Sequence, residues 1–83
     1  GLGEVSDTDG NLGLIRAFKM AGIKNVISTL WNVSDEATCE YMKCFYNHLF
    51  VDGNLHQAFN NSIKEFKVVY PDPYYWAAFT LEE

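Results

Sequence analysis

Asn25-Val26-Ile27-Ser28-Thr29-Leu30-Trp31-Asn32-Val33-Ser34-Asp35-Glu36-Ala37-Thr38 reads as a strand that turns into a capped helix. Val26, Ile27 and Thr29 are β-branched, stiff at χ1 and suited to a pleated surface, which predicts a strand over Val26 to Leu30. Its apolar character on both sides predicts burial beneath helices on two faces. Ser34 or Asp35 then opens a helix, because either oxygen can accept a bond from a free backbone N–H of the first turn. Asp35 and Glu36 also suit the positive end of the helix dipole.

Working downstream, Ala37, Tyr41, Cys44, Phe45, His48 and Leu49 recur at helical spacing and form one apolar stripe. Asp52-Gly53-Asn54 breaks that helix, and Asn54 caps a third one striped by Leu55, Ala58, Phe59, Ser62, Ile63 and Phe66. Pro71 and Pro73 are expected to bar further helix, leaving Trp76 to Leu81 as a closing strand. Upstream, Leu14, Ile15, Phe18 and Ala21 fall on one helical face, with Arg16 and Lys19 outside it. Gly22 stands where a left-handed residue stops such a helix. Residues 4 to 11 read as a loop that ends in an N-cap at Asp9 or Asn11. The order helix, strand, helix, helix, strand is an α/β pattern. Two strands do not make a stable sheet alone, so at least one edge expects a partner.

The chain has 83 residues, 48% of them hydrophobic and 16% aromatic, which is core-rich for one small domain. A unit of this size buries only about 60% of its unfolded surface. A chain so apolar with so few layers is expected to be a fragment. Six basic against eleven acidic residues give a net charge of −5, the wrong sign for neutralising phosphates, so nucleic acid is not an expected partner. No run of about 18 apolar residues is present to cross a membrane, and no basic-then-apolar leader opens the sequence. Membrane is therefore not an expected partner either, and the cytoplasm is the expected compartment.

Cys39 and Cys44 are the only thiols, and on a helix their spacing turns them ~140° apart, which disfavours a disulfide between them. Cys44 lies on the apolar stripe and is expected to be a small core residue. His48 follows it at i+4, so a Cys–His pair is conceivable; yet a structural zinc site needs four ligands, and only Cys39 and His56 remain, at the wrong angles. No metal and no cofactor is expected. His56 is expected to face solvent.

Four stretches, in order, resemble one family. Gly1-Leu2-Gly3-Glu4-Val5, with Gly10-Asn11-Leu12-Gly13-Leu14-Ile15-Arg16-Ala17-Phe18 after it, is similar to the run Cys-x-Thr-Gly-Leu-Gly and the glycine-rich loop and helix that follow it. Residues 25–38 resemble a strand ending in Ser-Leu-Trp-x-Val-Asp-Asp-x-Ala-Thr. Met42, Phe45 and Tyr46 match a Met-x-x-Phe-Tyr helix pattern. Pro73-Tyr74-Tyr75-Trp76-Ala77-Ala78-Phe79-Thr80-Leu81 matches a closing His-Pro-x-Tyr-Trp-Ala-Ala-Phe strand. The family is CHAT, caspase-like cysteine peptidase domains often attached to tetratricopeptide repeats. Ser34 stands where the family usually has the first of two aspartates.

The resemblance implies a fragment of a three-layer α/β/α caspase-like fold, residues 1–83 being the portion downstream of the nucleophile. The cysteine would then precede Gly1, and neither member of the Cys/His dyad would belong to this chain, which alone would be inactive. It also implies that Trp31, Asn32 and Val33 contact the main chain of a polypeptide substrate laid down as an added strand. Gly1 and Gly3 would let backbone approach the substrate carbonyl, and Asp35 would lend charge to a pocket. Plainer readings stand beside these: Trp31 as a core or edge aromatic, Asp35 as a helix cap. Glu4 and Asp7 are acidic loop residues placed either for specificity or simply in solvent. The expected partners are the rest of the parent domain, a polypeptide substrate or peptide ligand, and a second copy in a homodimer or swapped assembly. A non-catalytic peptide-binding or scaffolding module of the same fold is the other function these features allow.

Overall fold

A computed structural model of the chain describes residues 13, 15–17 and 19–82. The expected loop over residues 4–11, its caps at Asp9 or Asn11, Leu14 and Phe18 lie outside the described residues. Two compact units divide the chain: the described part of residues 1–32 together with 78–82, and Val33–Ala77.

In the first unit, the described residues from 13 to 20 are helical. The helix closes with the Ala21 N–H donating to the Ala17 carbonyl and the Gly22 N–H to that of Lys19, both at 3.0 Å. Gly22 has φ +94°, a conformation in which a Cβ is strained, and it stops the helix as its identity predicts. Ala21, expected on the apolar face, is exposed at the turn that closes the helix. Lys19, expected outside the face, is half-buried, and its ammonium donates to the Lys24 carbonyl at 3.3 Å.

Strand β1 (Val26–Thr29) pairs antiparallel with β2 (Phe79–Glu82), Ser28 opposite Thr80 and Thr29 opposite Phe79. β1 ends one residue before the expected Leu30, although the Leu30 N–H continues the ladder to the Ala78 carbonyl at 2.8 Å. All four β1 residues are half-buried, so the expected cover on both faces is not completed by the described residues of this chain. Ser28 and Thr80 join their hydroxyls across the strands at 2.9 Å, so this cross-strand position carries a polar pair where apolar contact was expected.

The second unit is a helical hairpin with a short helix at its end. Helix α1 (Asp35–Asp52) is capped by Ser34, whose hydroxyl accepts from the Ala37 N–H at 3.2 Å. Gly53 at φ +67° ends it, donating to the Leu49 carbonyl at 2.9 Å. The next residue, Asn54, caps α2 (Leu55–Val69) by accepting from the Gln57 N–H at 3.0 Å. One residue stops one helix and its neighbour starts the other, so the chain reverses within two positions.

The predicted stripes meet in this hairpin. Ala37, Tyr41 and Phe45 of α1 are buried, as are Ala58, Ser62 and Phe66 of α2. Tyr41 lies edge-on to Phe66 with centroids 5.5 Å apart and edge-on to Phe59 at 6.3 Å, the arrangement that aromatic quadrupoles favour. The Tyr41 hydroxyl is held by Ser62, Oγ 2.9 Å away, and Ser62 also donates to the Phe59 carbonyl at 2.8 Å. A polar pair therefore sits satisfied inside an apolar core.

The C-terminal expectation needs correction. Trp76 is not the first residue of a strand but the last of a short helix, α3 (Pro73–Trp76). Pro73 starts that helix rather than barring it, because a first-turn residue has no intrahelical N–H bond to lose and its φ is already set. Asp72 caps it, accepting from the Tyr74 N–H at 2.9 Å. The corner is packed by rings, Phe66 to Tyr70 at 4.8 Å and Tyr70 to Tyr75 at 4.9 Å. The Trp76 indole donates to the Pro71 carbonyl at 3.1 Å, and the Lys67 ammonium sits 4.2 Å from its ring centroid. Mixed helix with a small two-stranded antiparallel sheet is the observed architecture, compatible with the α/β class.

Candidate functional site

The segment that leaves β1 has its backbone fixed on one side by the Leu30-to-Ala78 bond. Trp31 follows at once and keeps 38% of its surface exposed, an unusual position for an indole that serves only as core. Asn32 is exposed and belongs, like Trp31, to the first unit. Val33 is half-buried and Asp35 exposed, both in the second unit. Gly1, Gly3, Glu4 and Asp7 lie outside the described residues.

Ser34 and Asp35 divide the work at the start of α1. The cap is Ser34, so the reading of Asp35 as cap is corrected: Asp35 is the first helical residue. Its carboxylate adds charge to a helix N-terminus already carrying Glu36, where the dipole favours it. Ser34 also explains how the chain tolerates its departure from the family pattern. A serine hydroxyl satisfies the same orphan N–H that an aspartate would.

Cys44 is not set up as a nucleophile. Burial first, and then the charge and hydrogen bond of Glu65, push the Cys44 thiol up to about 11, away from the thiolate that attack needs. Cys39 is exposed, on the second turn of α1. His48, the i+4 neighbour of Cys44, engages carboxylates: its Nε2 lies 3.0 Å from Glu65 and its Nδ1 3.9 Å from Asp52. Asp52 in turn accepts from the Asn61 amide at 3.2 Å, which ties the end of α1 to α2. The i+4 relation of His48 to Asp52 was visible in the spacing. Glu65 was not, since it comes from the facing helix. No group of three or more His, Cys, Asp or Glu among the described residues could hold a metal ion. His56 is exposed, as expected.

The stretches that carry the family resemblance now have places. Residues 25–38 run from β1 to the first turn of α1, and Pro73–Leu81 runs from α3 into β2. Of the helix pattern, Phe45 is buried, Met42 half-buried and Tyr46 exposed. No helix among the described residues is long and apolar enough to cross a membrane. Comparison with curated proteins and with solved structures returned no match. The family model described as CHAT domain matches residues 1–82, nearly the whole sequence, and the chain belongs to the CHAT domain family.

Proposed function

We propose that this chain is the C-terminal portion of a caspase-like cysteine endopeptidase domain, three-layered α/β/α when complete, supplying substrate-groove and dimer elements. The observation that carries the reading is the family match over residues 1–82. In this scheme a cysteine three positions before Gly1 attacks the scissile carbonyl. A histidine from the preceding half of the domain takes its proton, and backbone N–H groups hold the developing oxyanion. The raised Cys44 thiol supports a nucleophile supplied from outside this chain.

Trp31, Asn32 and Val33 would meet the substrate main chain where β1 ends, Gly1 and Gly3 would flank the oxyanion, and Asp35 would lend its charge to a side-chain pocket. Recognition by an added strand takes affinity from main-chain bonds and selectivity from alternate side chains, which suits a strand end followed by an exposed aromatic. The test uses the parent protein and thiol-reactive peptide probes that vary in the residue before the reactive group. Labelling is expected at the upstream cysteine, abolished by its replacement with alanine and weakened severalfold by Trp31→Ala. A folded parent that takes no label there overturns the peptidase reading and leaves a peptide-binding module.

A further inference from the structure

We draw no further inference here: the strongest candidate, the outward apolar face of α1 formed by the exposed Tyr46, Phe50 and Val51, carries nothing because nothing in the structure shows what covers it.

Discussion

Replacing Gly53 with alanine isolates a single physical term. The residue sits at φ +67°, and a Cβ built there meets no atom within 4 Å, so the substitution neither clashes nor fills space. What remains is the conformational penalty of an L-residue in the left-handed region, about 1–2 kcal/mol. Alanine returns part of that by restricting the unfolded chain, by ~0.4–1 kcal/mol. The expected net loss is about 1 kcal/mol, a drop of roughly 4–8 °C in Tm for a domain of this size. Asparagine tolerates the left-handed region, so Gly53→Asn should lose half as much or less. Thermal and urea unfolding followed by circular dichroism would read both variants, and an unchanged urea slope would show that stability changed without a change in the surface exposed on unfolding. Loss from Asn equal to that from Ala, or none from Ala, would refute the reasoning and place the reversal between α1 and α2 elsewhere.

Phe66 is fully buried, and Phe66→Ala should cost about 3–5 kcal/mol, enough to unfold a marginal chain. Phe50, 91% exposed, provides the contrast: in the isolated chain Phe50→Ala should stay within about 0.5 kcal/mol in the same denaturant titration. Ser34→Ala removes the α1 cap and should cost about 1 kcal/mol, while Ser34→Asp should keep it; helicity at 222 nm and the unfolding midpoint distinguish them. Burial holds the Tyr41 phenol up at about 12, above its ordinary 10.0. A raised folded value means that this stability is complete below about pH 10 and fades as pH climbs towards 12. The unfolding midpoint should therefore fall in alkali, and fall less steeply in Tyr41→Phe. Mass-resolved alkylation at pH 8 should label exposed Cys39 well before Cys44, and Glu65→Gln should speed Cys44 by removing the charge that opposes its thiolate.

Local chemistry was legible wherever a few neighbouring residues decide the outcome. Ser34, Gly53 and Asn54 act on their own backbone, and Gly22 needs only its missing Cβ, so the helix boundaries follow from residue type. The stripe from Ala37 to Leu49 follows from helical period. Pro73 was misread because proline ends a helix from inside yet begins one at its first position, and only the capping bond from Asp72 chooses between them. β1 was expected to be covered on both faces, but the Ser28–Thr80 hydroxyl pair depends on which residue lies opposite. Register is a long-range property, absent from any window of the sequence.

The candidate site divides along the same line. By itself, the sequence determined the family and the two striped helices, since motif order and period are written in one dimension. Tertiary structure alone decided that Glu65 engages His48 and raises the Cys44 thiol, that Ser62 holds Tyr41, and that the indole of Trp31 stays partly exposed. Each of these depends on groups brought together from distant parts of the chain, and packing fixes such distances only once the elements have docked.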